Sequence, residues 1–183
     1  MARIDPKTTE PVLERARRDL PLFVNQIGTL AHLPGVAERM LDLYVALPRE
    51  STLPRVLIEL AILTVSSLNA CEYCLVHHGA LGADYGLTPE QALSFRDGSW
   101  RRLEQFGPRE RLVIEYAEQV TRDANRVSAD LFGRLRAEFS EAQIVELTLR
   151  ITLCCFYNKF NQALQIDIED EAVAAFAAVR ARS

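Results

Sequence analysis

The chain has 183 residues, 49% apolar and 25% charged, with a net charge of −4. That length suits one domain with a full hydrophobic core, and the acidic balance excludes the basic patch that nucleic acid or an anionic membrane requires. The start, Met1-Ala2-Arg3-Ile4-Asp5-Pro6, has no apolar leader core, and the longest apolar run, residues 56–68, contains Glu59; that run is also too short to span a bilayer. A cytoplasmic location is expected, with no membrane and no nucleic-acid partner. In that compartment four cysteines are not read as structural staples, and a Cys-x-x-Cys is more often catalytic or metal-binding.

The predicted elements are all helical. Thr9-Glu10-Pro11 opens a first helix that runs to about Ile27, and Pro34 opens a second through Ala46. Ser51 or Thr52 caps a third, with Pro54 early in it, ending at Leu68. A fourth covers about residues 70–85, with Gly86 in the C′ position. Thr88-Pro89-Glu90 starts a short fifth that closes at Asp97-Gly98, and Pro108 opens a sixth ending near Ala124. Ser128 and Ser140 cap two more, Ser140 with Gln143 as a capping box, and a last helix covers about residues 170–182. No stretch alternates like a strand, so the fold class is all-α.

A shift of 87 residues lays Val56-Leu57-Ile58-Glu59-Leu60 on Gln143-Ile144-Val145-Glu146-Leu147. The same shift lays Cys71 on Asn158, Cys74 on Asn161 and His78 on Gln165. The apolar frame and the glutamate recur, while thiols and imidazole become amides. Two units follow, one carrying the chemistry over about residues 34–97 and a degenerate one over about 108–166. Two similar amphipathic helices arising by chance give the same pattern.

The chemistry concentrates in Cys71-Glu72-Tyr73-Cys74-Leu75-Val76-His77-His78 and in Glu59, twelve residues upstream. On a helix Cys71, Cys74 and His78 share one face. A straight helix would hold Glu59 about 18 Å from Cys71. Ser66-Ser67-Leu68-Asn69 is the expected bend, because Ser and Asn compete for backbone hydrogen bonds. Folding back there as a hairpin places Glu59 opposite His78, since the two are nearly equidistant from Leu68–Asn69. A carboxylate orienting an imidazole that serves a thiol is a proton relay, and two thiols one turn apart can cycle to a disulfide. With a hydroperoxide the attacked thiol becomes a sulfenic acid, the second thiol condenses with it, and an external dithiol restores the pair.

Glu59, a gap of eleven, then Cys71-x-x-Cys74-x-x-x-His78 resembles the alkylhydroperoxidase D (AhpD)-like branch of the carboxymuconolactone decarboxylase family. The Leu-rich lead-in and Cys-x-Tyr-Cys are similar to its peroxidase-related members. The match is dense over residues 45–90 and looser over 110–166. The resemblance implies a single AhpD-like domain over residues 1–183. It implies Cys74 as the peroxide-attacking thiol, Cys71 as the resolving thiol that also exchanges with the donor, and His78 and Glu59 as the relay. It further implies a thiol-dependent peroxidase, an oxidoreductase without cofactor or metal, fed by a lipoyl or thioredoxin-like dithiol donor and assembled as a trimer, hexamer or related homo-oligomer. The departure is Tyr73, where some peroxidase members have histidine between the cysteines. The decarboxylases lack the cysteine pair, which argues against that reaction here.

Rival assignments use the same residues. Cys71, Cys74, His78 and Glu59 are all acceptable zinc ligands, although structural zinc usually draws on two separated ligand pairs. A helical oligomer that uses the motif as a redox sensor would oxidise once without turning over. Of the remaining candidates, His77 is expected at the surface or an interface, and His32 in a loop without a partner. Cys154 and Cys155 are expected as small core hydrophobes, Trp100 and the tyrosines as packing, and Glu146 as a structural echo of Glu59.

Overall fold

The computed structural model describes residues 2–182, and among these there are ten α-helices, three short 3-10 turns and no strand. The helices are α1 (Pro11–Asp19), α2 (Val24–Leu30), α3 (Pro34–Glu50), α4 (Arg55–Leu68), α5 (Glu72–Asp84), α6 (Pro89–Asp97), α7 (Pro108–Asp123), α8 (Ala129–Glu138), α9 (Glu141–Leu164) and α10 (Asp170–Arg180). The all-α class expected from the sequence is the class observed.

The stretch expected as one helix over residues 11–27 is broken. Leu20 leaves the helical region at φ −143° and a 3-10 turn covers Pro21–Phe23 before α2 begins. The cause is Pro21, which disfavours α geometry in the residue before it. Conversely α3 runs past the expected end at Ala46 and carries Pro48 inside its last turn. Neither Ser51 nor Thr52 caps α4, whose N-cap position is taken by Pro54. Thr88, Ser128 and Ser140 do cap α6, α8 and α9, and Thr88 and Ser140 complete capping boxes with Gln91 and Gln143.

Helix α4 is the central post. Every residue from Leu57 to Ser66 is buried, because α5, α7 and α9 surround it. Its apolar side chains join those of α6 to α9 in the main core, with Leu60, Leu63, Leu135, Leu147 and Ile151 fully enclosed. A smaller core under α1, α2 and α3 closes against Tyr157 of α9. Helix α10 lies along α5. It can do so because Gly79 has no side chain: a Cβ there would overlap the Phe176 ring. No helix among the described residues is long and apolar enough to cross a membrane.

The bend between α4 and α5 falls where the sequence placed it and has a definite form. Cys71 N donates to Ser66 O at 2.9 Å and Ala70 N to Ser67 O at 3.2 Å, the paired bonds of a Schellman cap. The C′ residue of that cap is Ala70, at φ +51°. A non-glycine residue there costs roughly 1 kcal/mol. The turn makes Cys71 the N-cap residue of α5.

Candidate active site

Folding α5 back on α4 brings the carboxylate and the imidazole together. His78 Nδ1 lies 2.7 Å from Glu59 Oε2, with Glu59 wholly buried and His78 slightly exposed. The other carboxylate oxygen accepts from Arg55 Nη2 at 3.2 Å. Glu59 is thus held between a guanidinium and an imidazole, the compensation that a charge inside an apolar helix needs. With Nδ1 committed to Glu59, ring nitrogen Nε2 is left for the cavity that His78 lines.

That cavity measures about 440 Å³ and is floored by Cys74 and His78 of α5 and by Glu59 of α4. Leu20, Phe23, Ile58, Ile62 and Leu153 supply apolar walls, and Tyr44, Tyr85 and Tyr157 aromatic ones. Cys71 does not line it. Both thiols are reduced and almost fully enclosed, at 1% exposure for Cys71 and 4% for Cys74. Cys71 bears directly on Cys74, so the pair expected to act together is adjacent.

The surroundings hold both sulfurs as neutral thiols at rest. Contact with the Cys74 thiol, followed by loss of solvent, pushes Cys71 well above the ordinary cysteine range. The thiol of Cys154 pushes Cys74 up, burial adds to this, and the contact with Cys71 opposes it. Cys154 is therefore more than the core filler expected from the sequence: it sits beside Cys74 and lines the same cavity. Cys155 points away, its Sγ 3.9 Å from Thr121 Oγ1.

These shifts carry a stability consequence. A thiol whose folded pKa is raised retains its proton after the unfolded chain has lost it. The stabilisation is complete below the unfolded pKa of about 8.5 and is lost as pH rises toward the folded value. Half-buried Tyr44 and buried Tyr73 are shifted the same way, but their unfolded counterparts titrate only near about pH 10. Thermal stability of the reduced protein should therefore fall between about pH 8 and 9.5. The fall should be shallower in the Cys71→Ser/Cys74→Ser double variant, as read by calorimetric melting.

Two amides that the sequence presented as degenerate echoes serve the thiols directly. Asn161 Nδ2 lies 3.6 Å from Cys74 Sγ, and its oxygen accepts from Gln26, which in turn accepts from the Tyr44 hydroxyl. Asn158 donates to Ser66 Oγ at 3.3 Å and to Cys154 Sγ at 3.6 Å, and its contacts favour the ionised forms of Cys71 and Cys74. The 87-residue shift contained this signal, since Cys74 and Asn161 occupy one register position and meet in space. Glu146, expected as a structural echo of Glu59, pairs with Arg150 at 3.2 Å and accepts from Thr52 N.

His77 is not at the surface. It is fully buried, stacked between Tyr73 at 4.1 Å and Phe23 at 4.9 Å between ring centres. Its Nδ1 lies 2.6 Å from the Tyr73 carbonyl and its Nε2 2.8 Å from Glu169 Oε2. A carbonyl only accepts, so Nδ1 carries hydrogen and the Nε2–carboxylate contact holds one further proton between its two partners. Glu169 also accepts from the Tyr73 hydroxyl at 3.0 Å and Asn25 N at 2.8 Å. His77 sits about 100° round the helix from His78, and α10 and the segment before it cover that face. His32 likewise has a partner, the Asp5 carbonyl at 3.0 Å.

No group of three or more His, Cys, Asp or Glu side chains among the described residues is arranged to hold a metal ion. The zinc alternative therefore gains no support.

Residues 34–119 match the model of the carboxymuconolactone decarboxylase family. The uncharacterized protein YdfG of Bacillus subtilis is 26% identical over 117 residues, an alignment covering 63% of this chain and 78% of YdfG. An alkylhydroperoxidase AhpD core, an uncharacterized peroxidase-related protein from Ralstonia eutropha, has a TM-score of 0.77 at 21% identity over 94% of this chain and 97% of its own. The debrominase Bmp8 has a TM-score of 0.78 at 20% identity over 96% and 97%, and a cysteine-to-alanine variant of it is solved with 2,3,4-tribromopyrrole. At such identities these structures establish the fold.

Proposed function

We propose that the protein is a thiol-dependent peroxidase working through Cys74 and Cys71. The observation that carries this is the placement of Cys74, His78 and Glu59 at one apolar cavity, with Cys71 against Cys74 on the side away from it. A hydroperoxide enters, and His78 Nε2 takes the Cys74 proton as the thiolate forms. Position N3 of α5 and the amides of Asn158 and Asn161 favour that negative charge. The thiolate attacks the distal peroxide oxygen, the O–O bond breaks, and the proton on His78 goes to the departing alkoxide. Cys74 is left as sulfenic acid, Cys71 attacks it, and water leaves as the disulfide forms. The sum is ROOH plus two thiols giving ROH, water and one disulfide. A dithiol donor, lipoyl or thioredoxin-like, then exchanges with the disulfide and closes the cycle.

Peroxide consumption with a supplied dithiol tests this. One hydroperoxide should disappear per dithiol oxidised, and resting protein should lose two titratable thiols per chain on oxidation. His78→Gln should lower kcat by on the order of 10²-fold, the usual contribution of a positioned acid–base group, with little change in thiol count. A protein that oxidises once and does not turn over would be a sensor instead.

A second activity is favoured by the aromatic and apolar cavity walls and by the likeness to a debrominase. The same dithiol could displace halide reductively from an aromatic ring, R–Br plus two thiols giving R–H, a disulfide, bromide and a proton. Bromide release from a bromopyrrole, compared with peroxide consumption, separates the two. In either case the dithiol must be kept reduced, which fits the cytoplasm. Self-association is part of the proposal as well. Val145, Leu149 and Phe156 form an exposed apolar stripe along α9 that suits a second copy of the chain.

A further inference from the structure

Two side chains at the cavity have no place in the mechanism above. Arg55 and Arg150 both line it, and Nε of each is buried with no hydrogen-bond partner. Arg150 is only 9% exposed. Each guanidinium gives one nitrogen to a glutamate, Arg55 to Glu59 and Arg150 to Glu146, each at 3.2 Å. That leaves donors on both, since a guanidinium carries five N–H groups. The two guanidiniums are near enough for Arg55 to oppose the charge on Arg150, and loss of solvent opposes it more strongly. Arg55 is further held in place by stacking 4.8 Å above the Tyr85 ring. The two Nε atoms are sealed from the cavity, so the donors left for a ligand are the remaining Nη N–H groups.

Most of the remaining wall is apolar or aromatic, with Asp19, Gln26 and Glu59 its other polar side chains besides Cys74 and His78, and Glu59 is already paired with Arg55 and His78, so the complementary molecule has two parts. We propose that the cavity takes an amphipathic carboxylate, its alkyl or aryl body beside Cys74 and its carboxylate on Arg55 and Arg150. Guanidinium is the side chain best matched to a carboxylate, through paired N–H donors. An inorganic anion would satisfy the donors and leave the apolar wall of Leu20, Phe23, Ile58, Ile62 and Leu153 bare. As a substrate class this rests on the peroxidase proposal and makes the peroxide a hydroperoxy carboxylate. As a binding site it stands without it.

The test is calorimetric titration of reduced wild-type protein with octanoate, with 1-octanol and with inorganic phosphate. Octanoate should bind about tenfold or more tightly than 1-octanol, the worth of one charge-assisted hydrogen bond, and phosphate more weakly than octanoate. In Arg150→Met the octanoate preference should shrink to about twofold or less, with 1-octanol binding unchanged. Equal binding of octanoate and 1-octanol to wild type would overturn the proposal, and so would an undiminished preference in folded Arg150→Met. Phosphate binding as tight as octanoate would overturn the apolar part. Should Arg150→Met not fold, the wild-type comparison decides alone. Selective octanoate binding without peroxide consumption would sink the peroxidase assignment and leave this site standing; peroxide consumption without octanoate selectivity would do the reverse.

Discussion

Replacing Cys74 by serine should abolish dithiol-dependent peroxide consumption, reducing the rate to the background of free dithiol and peroxide. A hydroxyl at that position keeps the volume and the Asn161 contact but supplies no thiolate. Replacing Cys71 should also stop turnover, at a different stage. The first peroxide is still reduced, and the oxidised sulfur then lacks its partner on α5. Because Cys154 also adjoins Cys74, the clean experiment is the Cys71→Ser/Cys154→Ser double variant. One equivalent of peroxide should be consumed per chain, and a sulfenic acid should be trapped on Cys74 by a dimedone-type reagent and located by mass spectrometry. Equal turnover in wild type and Cys74→Ser would end the mechanism.

The largest effect on stability should come from Glu169→Ala. That carboxylate is 6% exposed and receives Tyr73, Asn25 and His77 together. Its removal leaves a buried imidazole, a buried phenol and a backbone N–H without their acceptor. A buried group left without its hydrogen-bond partner typically costs about 1–3 kcal/mol, and three such groups in a domain of this size give a melting-temperature drop on the order of 10 °C. Glu169→Gln is the control. Its carbonyl can still accept from Tyr73 and Asn25 while its amide donates to His77 Nε2, so it should lose far less. If Glu169→Ala melts with wild type in calorimetry, the network contributes little to stability.

The parts that the sequence disclosed are those governed by chain-local rules. Caps at Thr88, Ser128 and Ser140 are each decided within four residues, and so is the stop at Gly86. The bend after Ser66 was legible because the polar run interrupts an apolar helix, and two helices folding back there must oppose positions at equal distance. Glu59 and His78 meet for that reason. What stayed hidden depends on contacts across long separations. His77 was placed outside because its neighbours on α5 do not show that Glu169, 92 residues on, will cover it. Arg150 sits in an otherwise apolar stretch of α9 and gives no local sign of facing a cavity that α4 and the N-terminal turn complete. The break at Pro21 was within reach, since the residue before a proline resists the helix, but the apolar pattern on either side masked it.

The left-handed Ala70 bears on how electrons reach the protein. Cys71 is joined to that turn, is sealed from solvent and has no wall on the cavity. If its sulfur is the one that meets the donor, a bulky carrier can approach only when the hinge and the first coil of α5 fray. The strained alanine makes such breathing easier. Relaxing the hinge with glycine would then lengthen the wait between cycles, slowing large carriers while leaving the peroxide's own route untouched.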